Sequence, residues 1–269
     1  MNKLYFLVRL LIYALANPKA GRQIFTAKYQ SWQDSKYSVF NYAEKKSDLN
    51  YIIKALFPEF QYLIDEFKEN TNKLQNNSDK FFDQLKTESY PSKKKPYPLE
   101  YTLDNQNGLF LYTLCKIVKP EKVVETGVAY GLSSMYILQA LFENKKGILY
   151  SIDSVFSPWE SKEMIGSAIP KYLRNNWNFI FGSSSEKLEE HLSSLGSVDI
   201  FFHDSMHTYK NMIFEFETAW PYIVNDGFLL SDDISGNNAF YDFYSKMNVK
   251  PFILSSNDKS LLGILKKPS

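Results

Sequence analysis

From Leu109 onward the sequence alternates short apolar runs with helically spaced ones, and this alternation leaves few folds open. Val123–Glu125, Ile148–Ile152, Phe179–Phe181, Val198–Phe202 and Gly227–Ser231 have the length and composition of buried strands. Helical spacing marks Leu109–Val118, Ser133–Phe142, Glu186–Leu195, Tyr209–Tyr222 and Ala239–Met247. Strands connected through helices run parallel, because the crossover returns the chain to the same end of the sheet. Only Ser-Asn-Asp-Lys separates two final runs, Phe252–Ser255 and Leu261–Leu265, which implies an antiparallel hairpin at the sheet edge. The expected fold is α/β: a Rossmann-like sheet of seven strands, mostly parallel, with helices on both faces.

The first third has a different texture. Leu49, Ile52, Ile53 and Leu56, then Phe60, Leu63, Ile64 and Phe67, follow helical spacing, and little period-2 alternation appears before Tyr90. The polar tract Asn70 to Asp79 reads as a loop, and the Pro/Lys-rich stretch Pro91 to Pro98 as a boundary. This divides the chain into an N-terminal helical region, 1–98, and an α/β domain, 99–269. The apolar run Leu4 to Ala16 is interrupted by Arg9, closed by Pro18 and shorter than the roughly 20 residues of a spanning helix. Ala14-Leu-Ala16 has the look of a signal-peptidase site, but a helix packed on the domain, on a second subunit or on a membrane surface through residues 1–22 is the favoured reading. Trp32, Tyr37 and Phe40 are either core or the wall of a pocket. Lys+Arg 31 against Asp+Glu 30 points away from nucleic acid as a partner. The single cysteine, Cys115, fits a buried helix position in a reducing, cytoplasmic compartment, with or without membrane association.

The stretch Val123-Val-Glu125-Thr126-Gly127-Val-Ala129-Tyr-Gly131-Leu-Ser133-Ser134 reads as strand, tight turn and helix start. Small residues at 127, 129 and 131 leave room for a ligand against the backbone. No Gly-Lys-Ser/Thr follows, so it is not a phosphate loop, and Ala129 and Gly131 break the dinucleotide spacing. Glu125 would repel a pyrophosphate, whereas a cationic ligand suits it.

In open α/β sheets ligands bind beyond the carboxyl ends of the strands. There the sequence sets Glu125, Asp153, Asp204 and the pair Asp232-Asp233. Asp153 suits ribose hydroxyls, and Ser183 follows the third strand either as a ligand group or as a helix cap. Asp204, Asp232 and Asp233 would repel one another unless a cation or protons compensate them, and hard oxygen ligands suit Mg²⁺ or a similar ion. Asp199 only begins its strand. Asp232-Asp233 can also be read as a capping pair, and His207 as a structural hydrogen-bond partner.

Glu125-Thr-Gly-Val-Ala-Tyr-Gly131 resembles the first motif of class I S-adenosylmethionine-dependent methyltransferases, with Ala129 in place of a middle glycine. Together with Asp199-Ile-Phe-Phe-His203-Asp204-Ser-Met-His207 and Gly227-Phe-Leu-Leu-Ser-Asp232-Asp233, it resembles the divalent-metal-dependent O-methyltransferases of the catechol and the macrolide- or aminocoumarin-sugar type, over roughly residues 99–269. The resemblance implies S-adenosylmethionine as cofactor, held by Glu125, Thr126, Gly127, Gly131, Ser133, Asp153 and Ser183. It implies a divalent cation on Asp204, Asp232 and Asp233, and His207, with Asp204, as the catalytic pair. His207 stands where the catechol enzymes carry a catalytic lysine, which gives it the part of general base; His203 is the weaker choice. The implied acceptor is a small-molecule hydroxyl, and the N-terminal region would serve as lid, dimer contact or membrane contact. Two other readings stay open: metal-independent transfer with His207 as sole base, and a non-catalytic membrane-surface module on the same fold. A dehydrogenase would explain Asp153 but leave the carboxylates without a task.

Overall fold

The structure, a computed structural model, describes residues 3–99, 104–256 and 260–269. Its centre is a sheet of eight strands: β1 (Lys46–Ser47), β2 (Lys122–Thr126), β3 (Ile148–Asp153), β4 (Trp177–Phe181), β5 (Val198–His203), β6 (Ile223–Ser231), β7 (Pro251–Ser256) and β8 (Ser260–Lys266). Their order is β1-β7-β8-β6-β5-β2-β3-β4. Parallel pairing joins β6, β5, β2, β3 and β4, while β8 runs antiparallel to both β6 and β7. The hairpin is thus as expected; the connection 257–259 lies outside the described residues.

The expected seven strands are all present, and the count is corrected to eight. β1 is two residues long and pairs parallel with β7, Lys46 opposite Ile253. Two polar residues carry no strand periodicity, so only the paired edge reveals them.

Side-chain alternation along the strands divides the interior into two layers. Ile200 and Phe202 face one core with α3 (Leu49–Leu56), α4 (Ile64–Lys86), α5 (Asn105–Val118) and α6 (Leu132–Asn144). Phe201 faces the other with α7 (Ser184–Leu195), α8 (Tyr209–Ala219) and α9 (Ala239–Met247). Both faces of the inner strands are buried, which is why they read as continuous apolar runs. Cys115 is buried within the first core.

The same core runs across residue 98: Ile52, Phe67 and Leu74 pack in one cluster with Phe110 and Tyr112. The tract Asn70 to Asp79, expected as a loop, is helical and lies inside α4. Phe67, Thr71, Leu74, Phe82 and Leu85 keep a buried stripe through it, and the intervening asparagines occupy the outer face. Ahead of these elements, α1 (Lys3–Ala16) and α2 (Pro18–Asp34) form a helical hairpin in which Gly21 approaches Ala14 closely. Asn17, its turn residue, donates through Nδ2 to the carbonyl of Tyr13 at 3.0 Å.

Candidate functional site

The turn after β2 is built from inside. Glu125 is 0% exposed, and its carboxylate accepts hydrogen bonds from Ser133 and Ser134 at 2.6 Å and from Ser151 at 2.7 Å. Burial pushes its pKa up to about 6 against the pull of those three hydroxyls. Both oxygens are spent within the protein, so Glu125 and Ser133 fix the strand-to-helix turn rather than facing an opening. Trp177 extends the network by donating Nε1–H to Ser151 at 3.0 Å.

Gly127 and Gly131 have φ of +81° and +90°, a region that costs a residue with a Cβ. The space expected for a ligand is taken by the chain itself. A Cβ on Gly127 would lie 2.0 Å from the carbonyl oxygen of Asp204, and one on Gly131 would lie 2.7 Å from Ile169 Cγ1. The glycines therefore bring the end of β5 and the segment 166–169 against the turn. That segment is stitched on by Gly166 N to Ala129 O and Ala168 N to Tyr130 O, each 2.9 Å. Asp153, the last residue of β3, accepts from the amides of Val128 at 3.0 Å and Ala129 at 2.9 Å. Burial raises its pKa, opposed by those amides.

Three of the buried polar groups without partners lie on segments next to this turn. The hydroxyls of Tyr97, Ser154 and Ser167 are buried and make no hydrogen bond. Ser154 follows Asp153, Ser167 sits in the segment over the turn, and Tyr97 packs edge-on against Tyr130 with ring centroids 5.1 Å apart. Buried polar atoms are nearly always paired in a finished structure, so three hydroxyls beside an acid at a strand end fit a polar ligand such as a nucleoside. Ser183, at the end of β4, is the residue preceding α7, and its Oγ lies 3.1 Å from that of Ser185.

At the ends of β5 and β6 the chain brings together Asp204, His207 and Asp232, with one ligand atom of each within 4.8 Å of the others. His207 Nε2 lies 3.9 Å from Asp204 Oδ1 and has no hydrogen-bond partner. Asp232 accepts from Ser260 Oγ at 2.9 Å and, more weakly, from Asn107 Nδ2 at 3.4 Å. Burial and the Asp232 charge hold Asp204 well above the ordinary carboxylate range, and burial with the Asp233 charge raises Asp232 to about 7. Burial, then the neighbouring His203, lowers His207 to about 3. Two carboxylates short of compensating charge, with an imidazole beside them, are a donor set that fits Mg²⁺ or Mn²⁺.

Asp233 differs from the expectation. It is exposed, with φ of +48°, and is not among the three groups, Asp204, His207 and Asp232, whose donor atoms converge. Its backbone turns left-handed immediately after Asp232, which directs consecutive side chains apart. Its charge still reaches the site.

A second network ties the two halves together. Glu215 of α8, 0% exposed, accepts from Thr126 Oγ1, lies 2.6 Å from His203 Nδ1, and accepts from Ser205 Oγ at 2.6 Å and Asn211 Nδ2 at 3.1 Å. Burial opposes its charge, but His203 and the hydroxyls hold its pKa at about 2. His203, 0% exposed, is thus engaged through Nδ1, and its ring meets that of His207 edge-on at 5.2 Å. Thr126 is inside this network rather than on the surface of the turn. Sequence reasoning missed Glu215, although Met212, Glu215, Phe216 and Ala219 set it on a buried helical stripe. It also missed Tyr97 and Asn107, whose neighbours come from distant parts of the chain.

Sheet order, glycine turn and strand-end acids together have the arrangement of the class I S-adenosylmethionine-dependent methyltransferase fold. Residues 124–234 match a family model described as a methyltransferase domain, so the resemblance read from the sequence is borne out at that level. No curated protein matches the sequence. Among solved structures, the O-methyltransferase from Bacillus cereus in complex with SAH (S-adenosylhomocysteine) is similar, with a TM-score of 0.54 and 16% identity over 80% of this chain and 100% of that one. The SAH-bound methyltransferase PaMTH1 of Podospora anserina gives 0.51 and 13%, covering 66% of this chain and 85% of that one. TomG of Streptomyces achromogenes, an O-methyltransferase involved in tomaymycin synthesis and solved with SAM, gives 0.50 and 14% over 63% and 83%.

Proposed function

We propose that the protein transfers the methyl group of S-adenosylmethionine to a hydroxyl of a small molecule with the help of a divalent cation held by Asp204 and Asp232. The observation that carries this reading is the convergence of Asp204, His207 and Asp232 beside the glycine turn. S-adenosylmethionine supplies a methyl group on a cationic sulfonium, and a divalent cation lowers the pKa of a hydroxyl that it coordinates. Asp153 and the unpartnered hydroxyls of Tyr97 and Ser154 offer hydrogen bonds to a ribose and its surroundings. Gly127 and Gly131 shape the turn, Glu125, Thr126 and Ser133 brace it from within, and Ser183 stands just past β4, ahead of α7. The buried carboxylates favour a positive ligand electrostatically.

His207 takes the acceptor's proton on Nε2, which is unprotonated at neutral pH because burial disfavours its charged form. Asp204 Oδ1, 3.9 Å away, would stabilise the imidazolium once a bound cation holds that carboxylate ionised. A base this weak is poorly matched to an unassisted alcohol, which favours the metal-assisted reading over metal-free transfer by His207 alone. The unpartnered Nε2 is the one observation on the side of the metal-free route. Exhaustive chelation separates the two. Loss of methyl transfer to a hydroxyl acceptor, restored by Mg²⁺ or Mn²⁺, is the expected result; full activity in chelator would overturn the cation's part and leave His207 as sole base.

A further inference from the structure

The N-terminal hairpin has an outer surface that the methyl-transfer chemistry does not use. Leu11, Ile12 and Leu15 share one face of α1 and are 63%, 62% and 81% exposed. On α2, Phe25, Tyr29 and Trp32 form an exposed ladder, with ring centroids 6.3 Å and 5.8 Å apart, and Lys36 Nζ sits 3.2 Å over the Trp32 ring. Residues 1–33 contain Lys3, Arg9, Lys19, Arg22 and Lys28 and no acidic residue.

We propose that the α1–α2 hairpin seats this protein on an anionic lipid surface. Apolar side chains one or two turns apart, aromatic rings with polar tips and flanking cations are what a helix lying in the headgroup region presents. α1 has 14 residues, and no described helix is long and apolar enough to cross a membrane, so the contact is interfacial. Charge also chooses the occupant. Lys19 is paired with Glu186 at 2.7 Å and Asp34 closes α2, but Arg22 and Lys28 keep the hairpin net positive, so a second copy would bring like charge against it whereas an anionic bilayer compensates it.

The seat borders the candidate site at two places. Thr208, next to His207, donates to Gln30 Oε1 at 2.7 Å, and the amide of Tyr209 donates to Asp34 Oδ2 at 2.9 Å. Phe6 of α1 packs on Trp159 with ring centroids 4.6 Å apart, at the segment that continues to the glycine turn. An acceptor carried at a lipid surface would then meet the site from the side of the hairpin. The seat stands independently of the methyl-transfer reading, and either can fail without the other.

Flotation of the full chain with phosphatidylcholine vesicles, with and without phosphatidylglycerol, tests it. Recovery with anionic vesicles is expected, at least about tenfold weaker on neutral vesicles and in molar salt. Phe25→Glu with Leu15→Glu, or Arg22→Glu with Lys28→Glu, should lower binding to anionic vesicles by a similar factor while thermal unfolding stays unchanged. No flotation with either vesicle, or flotation indifferent to lipid charge and salt, would overturn the proposal. A dimer dissolved by Phe25→Glu without vesicle binding would overturn it too, in favour of self-association.

Discussion

A methyl group added at Gly127 would fall 2.0 Å from the Asp204 carbonyl oxygen, on a backbone already in the left-handed region. Gly127→Ala should cost at least about 1–3 kcal/mol from the backbone conformation alone, and the clash with main chain adds to it. Urea unfolding measures this; a neutral substitution would show that β5 does not end against the turn. At the acids, Asp204→Asn and Asp232→Asn should abolish Mn²⁺ binding measured by calorimetry, while Asp233→Asn weakens it only modestly through lost charge. Equal losses at all three positions would put Asp233 back among the ligands. Glu215 and Glu125 act oppositely with pH. Glu215 is held at about 2, below its unfolded value, so its contribution is present above about pH 4.3 and is lost as pH falls toward 2. Glu125 is raised to about 6, so it favours the folded state more as pH falls from 6 toward 4.3 and penalises it above, by on the order of 2 kcal/mol. Glu215→Gln should therefore flatten the loss of stability between pH 4.3 and 2 in acid titrations followed by circular dichroism. An unchanged acid limb would contradict the buried pairing with His203.

Helix α3 and strand β1 test whether the chain before residue 98 folds with the sheet. Ile52 is 0% exposed and shares a core with Phe110 and Tyr112. Ile52→Ala should lower global stability by about 2–5 kcal/mol in one cooperative transition; two separate transitions would mean an appended unit. The elements differ in how openly the sequence announces them. β2, β3, β5 and β6 are apolar on both faces and stand out as runs, and β7 and β8 are betrayed by the short connection between them. β1 is two polar residues whose structural signal is the partner strand, with Lys46 opposite Ile253. α4 hid its stripe because asparagines crowd its outer face. At the site, Asp204 and Asp232 were legible because strand ends are where an α/β sheet binds, whereas the turning away of Asp233 depends on its own left-handed backbone. Glu215 was legible in principle as an acid on a buried stripe. Tyr97 and Asn107 were not, since their positions are set by packing across distant segments.

On the scale of the molecule, the sheet gathers acids at one end and leaves part of their charge uncompensated. Glu125, Asp153, Asp204 and Asp232 all have raised pKa values, with burial as the first cause. Strand-end acids short of compensating charge suit cations, which the proposed sulfonium cofactor and divalent metal would supply. Thermal stability of the chelated protein should rise on adding Mn²⁺, more at pH 8 than at pH 5, where protons already neutralise Asp232. The most direct measurement is a crystal structure of the protein soaked with S-adenosylhomocysteine and Mn²⁺, with anomalous scattering used to locate the ion. The account predicts the nucleoside beside Asp153 and the glycine turn, and an anomalous peak in contact with Asp204 and Asp232 and adjacent to His207. A nucleoside bound elsewhere, or a peak that avoids both aspartates, would contradict it.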